Sequence, residues 1–341
     1  FFELGGHSLM MVMLMARVEE RLGKRVSMEA LFMEPTIEHL AELIGHGKEN
    51  LFQSLVVSMQ PHGINAPIFS PHASGGNVLC YTDLVKYIGE DQPFYGIQAR
   101  EPESGLVVHT DIAAMASDYV EAIRSVQPNG PYLLGGWSMG GVIAFEMATQ
   151  LQQQGERIAL LALMDATAPT GAQTEYKWTV LLSIFAFDLG LKYENLSKPI
   201  EEIAKLTQMA QLRAVWLEAK SAELIPSDMT LVEFRKMFDL FKINANTTRS
   251  YQPGEFFGRI ALFNAEADEQ HYLFSNDPGY YESQEIHGKD PLKGWGDLAT
   301  EGVEVYVVPG DHFSMMREPN VSVLAEQLRT CIQEAFDLSR F

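Results

Sequence analysis

The sequence predicts an α/β fold with a mainly parallel sheet, a helical insertion, and a short all-helical segment in front. Three observations lead there. From about residue 54 onward, short apolar runs alternate with amphipathic helical stretches, the pattern of a parallel sheet covered on both faces. Roughly ninety residues, 166 to 258, interrupt that rhythm with helical patterning and no strand. Before residue 45 the chain reads as helices alone.

Taken in order, the first segment holds a helix over Ser8 to Leu22, a short element near Met28 to Met33, and a helix over Thr36 to Ile44 after the boundary proline Pro35. GHGKEN follows, polar and with two glycines, so residues 46–53 are expected to be a linker. The second domain is expected over 54–341. Its strands are SLVVSMQ, PIFSP, QPFYGIQ, YLLGGWS, IALLALMD, RIALFNA and VEVYVVPG, with helices between most of them, among them Asp111 to Val126, Gly140 to Gln154 and Ser322 to Phe336. Within the interruption, Leu231, Phe234, Phe238 and Phe241 step by three, four and three, which is one apolar helix face. A connection this long in a compact domain is usually functional, so the stretch of about 170–250 is expected to be a lid over the active edge of the sheet.

Composition narrows the function. The 341 residues include 25 basic and 45 acidic ones, a net charge of −20, which argues against nucleic-acid binding and against docking on an anionic membrane. No stretch has the ~18 consecutive apolar residues of a membrane helix. The run LMMVMLMA follows Glu3 rather than a basic region and leads to no cleavage site, so no targeting signal is read. Two cysteines, Cys80 and Cys331, fit a reducing cytosol better than a disulfide framework or a zinc site. A cytoplasmic location and no metal are expected.

The sharpest chemistry lies in YLLGGWSMGG. Gly136-Trp137-Ser138-Met139-Gly140 is G-x-S-x-G between an apolar strand and a helix, the context in which the serine sits on a strained elbow and only glycine fits two positions either side. Ser138 is therefore the candidate nucleophile, and the backbone N–H of Met139 a candidate oxyanion donor. The second donor is expected from the loop Pro71-His72-Ala73-Ser74-Gly75-Gly76, with Ser74 ahead of Ala73. Of the nine histidines, His312 in VVPGDHFSMM follows directly on a strand, where open parallel sheets place their chemistry, and is the candidate base. Two carboxylates have the right chain order for the acid. Asp165 closes its strand directly, whereas Asp268 comes four residues beyond the apolar part of the next; a firmly held orienting acid favours Asp165.

These residues resemble a known family. From about Leu55 to Ala335 the chain looks like the thioesterase domain that ends non-ribosomal peptide synthetases and mixed peptide-polyketide assembly lines, on the strength of PIFSPHASGGNVLCY, QPFYGIQAR, GPYLLGGWSMGGVIAFEMA, IALLALMDATAP and PGDHFSMM. The resemblance implies an α/β-hydrolase fold with a helical lid and an acid on the strand after the nucleophile, which is Asp165. The family's oxyanion loop commonly reads His-Pro and a small residue. Here Pro71-His72-Ala73-Ser74 stands instead, and Ala73 adds an N–H that leaves the second donor open by one position.

Residues 1–45 are similar to the end of a peptidyl carrier protein lacking its first helix. Leu4-Gly5-Gly6-His7-Ser8-Leu9 resembles the site where a 4'-phosphopantetheine arm is esterified to serine, here Ser8, and VSMEALFMEPTIEHLAELI resembles the carrier's last part. A phosphodiester at a helix N-terminus meets free N–H groups and the positive end of the helix dipole. The apolar run after Ser8 exceeds one buried face and suits docking on the lid or on modifying enzymes as well as cover by a further helix.

The resemblance implies a chain-releasing thioesterase. An acyl or peptidyl thioester on the arm would pass to Ser138 and leave by hydrolysis or macrocyclisation, with upstream synthetase modules and a phosphopantetheinyl transferase as partners. Three alternatives compete. A stand-alone esterase has no use for a carrier in front, a proofreading thioesterase is generally a separate chain, and a docking module with an inert hydrolase domain has no need of the triad residue types.

Overall fold

The computed structural model describes residues 14–15, 17–18, 21–24, 36–45, 55–100, 109–191, 196–197, 200–267 and 290–337. Ser8, the expected element near Met28 to Met33, the expected linker and Asp268 lie outside the described residues. In the first segment, residues 14–15, 17–18 and 21–22 are helical, and helix α1 spans Ile37–Gly45. The Thr36 hydroxyl accepts the His39 N–H at 3.1 Å, the bond of a helix N-cap.

All seven expected strands form, as β1 (Val56–Gln60), β2 (Ile68–Pro71), β3 (Phe94–Ile97), β4 (Tyr132–Trp137), β5 (Ile158–Met164), β6 (Ile260–Ala265) and β7 (Val303–Val308). They make one sheet in the order β1-β3-β2-β4-β5-β6-β7. Every neighbouring pair is parallel except β1 with β3.

Side chains alternate between the two faces of the central strands, as the strand period of two requires. Leu134, Leu161 and Leu163 join a core with α3 (Ile112–Arg124) and α4 (Met139–Gln153). Leu133, Ala162 and Met164 join the opposite core with α2 (Thr82–Tyr87) and α9 (Val321–Asp337). Both faces are covered, which explains why these strands read as continuous apolar runs. Asp111 caps α3 by accepting the Ala114 N–H at 2.8 Å.

Between β5 and β6 the chain forms α5 (Trp178–Asp188), α6 (Ile200–Ala204), α7 (Gln208–Ser221) and α8 (Leu231–Ser250). These helices have a core of their own, in which Phe234, Phe238 and Phe241 of α8 pack around Phe185 of α5 at ring separations of 5.3, 5.3 and 5.4 Å. Thr230 and Glu233 close a reciprocal capping box at the start of α8. None of the described helices is long and apolar enough to cross a membrane.

Candidate active site

The C-terminal ends of β2, β4, β5 and β7 converge on one edge of the sheet. β4 ends at Trp137, and Ser138 turns the chain into α4 with φ 56° and ψ −127°. A left-handed φ in a residue with a side chain costs about 1–3 kcal/mol, and the surroundings enforce it. A Cβ on Gly136 would sit 2.2 Å from the backbone of Gly140, one on Gly140 2.3 Å from the Pro71 carbonyl oxygen, and one on Gly141 2.5 Å from the Ala166 Cβ. The motif glycines let strand, helix and the β2 loop approach that closely, and the Ser138 N–H is tied to the Met164 carbonyl at 2.9 Å.

The loop after β2 is braced from three sides. The Tyr81 hydroxyl donates to the Pro71 carbonyl at 2.6 Å and accepts the Trp137 N–H at 3.0 Å, joining the loop to the serine turn. Burial pushes the His72 imidazole down to about 4, despite its bond to the Ala73 backbone, and the nearby His109 lowers it further. His72 is therefore neutral; its Nδ1–H donates to the Ala73 carbonyl at 2.7 Å and its Nε2 accepts the Tyr119 O–H at 2.8 Å. The Ala73 carbonyl also accepts the Gly76 N–H at 2.9 Å. With that carbonyl held, planarity of the peptide turns the Ser74 N–H the opposite way. From α8, Asn244 Nδ2 donates to the Ser74 carbonyl at 2.9 Å.

His312 follows β7 in a loop shaped by Gly310, at φ 93°, and by the Asp311 carboxylate, which accepts the N–H groups of Phe313 and Ser314. Its Nδ1 lies 2.7 Å from Asp165 Oδ2. Asp165 stands just past β5 with φ 46°. Burial opposes its ionisation, but the hydrogen bond and charge of His312, together with Lys293, hold its carboxyl well below the usual carboxylate range. An ionised Asp165 can only accept, so Nδ1 of His312 carries the proton and Nε2 is the acceptor nitrogen of the neutral ring. Trp137 completes the link to the serine turn. Its indole N–H donates to the His312 carbonyl at 2.9 Å, and the two rings lie 4.8 Å apart.

Of the sequence candidates, the structure brings together Asp165 and His312, and places Ser138 and Ser74 on the converging turns and Met139 at the start of α4. No hydrogen bond from the Ser138 hydroxyl is present among the described residues. Three further residues escaped the sequence. Lys293 pairs with the other oxygen of Asp165, across a separation of 128 residues that leaves no local signature. Asp188, the last residue of α5, lies beside the β2 loop, its carboxylate 3.7 Å from where a Gly75 Cβ would be; desolvation raises its carboxyl to about 6 against the opposing charges of Arg317 and His312. Asn244 had a signal, being a polar residue three positions beyond Phe241 on the apolar stripe of α8.

Among the described residues no cluster could hold a metal ion. A family model, "Thioesterase domain", matches residues 66–331, and a second, "Phosphopantetheine attachment site", matches residues 1–44. The chondramide synthase cmdD of Chondromyces crocatus is 30% identical over 98% of the chain, and a dimodular nonribosomal peptide synthase of Bacillus subtilis 44% identical over 49%. The chain spans only 8% and 7% of those two proteins. Among solved structures, holo-AB3403, a four-domain nonribosomal peptide synthetase bound to AMP and glycine, superposes on 96% of the chain with a TM-score of 0.69 at 28% identity, the match covering 24% of that protein. The NocB thioesterase domain, in covalent complex with a fluorophosphonate nocardicin G analog, covers 81% of the chain and 99% of its own length, with a TM-score of 0.55 at 22% identity, a likeness of fold.

Proposed function

Because the chain belongs to the thioesterase domain family, we propose that it releases an acyl or peptidyl chain from a carrier-bound thioester through an ester on Ser138. The observation that carries the proposal is the 2.7 Å contact between His312 and Asp165 beside the strained turn that presents Ser138. His312 Nε2 takes the hydroxyl proton as Ser138 Oγ attacks the thioester carbonyl, and Asp165 stabilises the imidazolium that forms. The N–H groups of Met139 and Ser74 receive the developing oxyanion. Collapse breaks the C–S bond, and the departing thiolate takes the proton from His312.

In the second half-reaction His312 deprotonates the releasing nucleophile. Water gives a linear acid; an amine or hydroxyl of the same chain gives a ring. The helices between β5 and β6 form the lid that controls which of them reaches the ester. The upstream segment fits delivery: Ser8 is the proposed attachment point for 4'-phosphopantetheine, installed by a phosphopantetheinyl transferase, and earlier synthetase modules supply the chain. When bound, that group provides a thiol on a flexible arm as the thioester's leaving group.

The experiment is turnover of an acyl or peptidyl N-acetylcysteamine thioester with product mass as readout. Wild-type protein should release thiol together with a free acid or a product lighter by one water, and Ser138→Ala should be roughly a millionfold slower. Equal turnover by Ser138→Ala would refute the proposal.

A further inference from the structure

Asp165 has two oxygens and two ionic partners. Oδ2 faces His312, while Oδ1 accepts Lys293 Nζ together with the Ala265 N–H at 3.1 Å. A lysine at this point is held there by construction. Lys293 has φ 47° and is followed by Gly294 at φ 81°, so a residue with a side chain occupies a backbone region that favours glycine. The turn is fixed by Asp290, whose carboxylate accepts the N–H groups of Leu292 at 2.9 Å and Gly294 at 2.7 Å. It is stitched to the chain just after Asp165 by the Ala168 N–H on the Lys293 carbonyl and by the indole of the fully buried Trp295 on the Ala166 carbonyl, at 2.9 and 2.8 Å. Both members of the ion pair thus sit at left-handed positions tied to one another.

Given the triad proposed above, we propose that Lys293 is a positioning residue that shares the Asp165 carboxylate with His312 and sets the pH range in which His312 is the neutral base. The sign follows from charge. Asp165 stabilises the protonated imidazole; the ammonium cancels part of that field and repels the imidazolium. His312 accordingly becomes neutral, and competent as a base, at lower pH with Lys293 than without it. Among the described residues, the other charges near His312 include Asp188 from α5, with Arg317 behind it, and Asp311 on its own loop. Trp137 contributes a ring that does not titrate. Among the described residues, Lys293 is the cation in direct contact with the orienting carboxylate.

The test is the pH profile of kcat/KM for an acyl thioester with Lys293→Gln, Lys293→Met and Lys293→Arg, each checked for a cooperative melt. A neighbouring charge shifts a titration by about one unit or more at close range and less across an intervening carboxylate. The acid limb should therefore rise by roughly 0.5 to 1 pH in the two neutral variants, while Lys293→Arg keeps the wild-type limb. Superimposable limbs in a folded neutral variant, or an equal shift in Lys293→Arg, overturn the proposal. His312→Ala separates the two claims: if it acylates as fast as wild type, the triad fails, whereas an inactive His312→Ala with unshifted neutral variants removes only the role of Lys293.

Discussion

The Trp137 indole donates to the backbone carbonyl of His312, so the residue before the serine holds the loop that carries the histidine. The two lie 175 positions apart in sequence. Trp137→Phe keeps an aromatic ring against the imidazole and removes one part-buried hydrogen bond, worth about 1 kcal/mol. A drop in kcat of roughly five- to tenfold is expected in steady-state thioester hydrolysis, and Trp137→Ala should fall further. An unchanged kcat in Trp137→Phe would mean that His312 is placed by Asp165 alone.

Two glycine substitutions separate close approach from backbone freedom. Gly140→Ala drives a methyl to 2.3 Å from the Pro71 carbonyl, where rigid backbone faces it, and should abolish activity and lower the melting temperature markedly. Gly155 has φ 83° but open space around it. Gly155→Ala should lose only about 1–2 kcal/mol for the left-handed conformation and stay active. Thermal melts and turnover of both proteins check this.

Asn244 tests whether the helical insertion shapes the oxyanion site. Its Nδ2 holds the Ser74 carbonyl, while its buried Oδ1 has no hydrogen-bond partner among the described residues. Asn244→Ala removes that unsatisfied oxygen along with the brace, so stability should change little while kcat falls roughly tenfold, the scale of one lost buried hydrogen bond. KM should move less than kcat. A kcat equal to wild type would show that the loop holds its shape without α8.

Asp188 should leave a signature in stability against pH. Its carboxyl, raised by burial to about 6, is harder to ionise in the folded chain than in the unfolded one. The folded state is therefore penalised above about pH 6, and the penalty fades as pH falls toward the ordinary carboxylate range. Asp188→Asn should melt higher than wild type at pH 8, with the gain shrinking between pH 6 and 4. A gain independent of pH would place the effect in packing instead.

Strand runs and the serine elbow were legible because both are local: six residues of β4, two glycines and a helix start carry the signal within one short stretch. The ranking of Asp165 over Asp268 rested on strand-end position and on the family resemblance; Asp165 contacts His312, and Asp268 lies outside the described residues. The antiparallel pairing of β1 was not legible, since direction comes from the connections and not from the pattern of one strand. Lys293 was illegible for a related reason. A lysine between leucine and glycine looks like any surface turn until the fold sets it against a carboxylate made 128 positions earlier. Asn244 lay between these cases, visible as a polar interruption of an apolar helix face but with no indication that Ser74 was its partner.

The central claim is covalent transfer to Ser138, and rapid-quench mass spectrometry during turnover of an acyl thioester tests it most directly. The account predicts an acyl ester that maps to the peptide containing Ser138, forms before product accumulates, and is missing in Ser138→Ala. Product formation at the wild-type rate with no adduct, or with the acyl group on another residue, would contradict it.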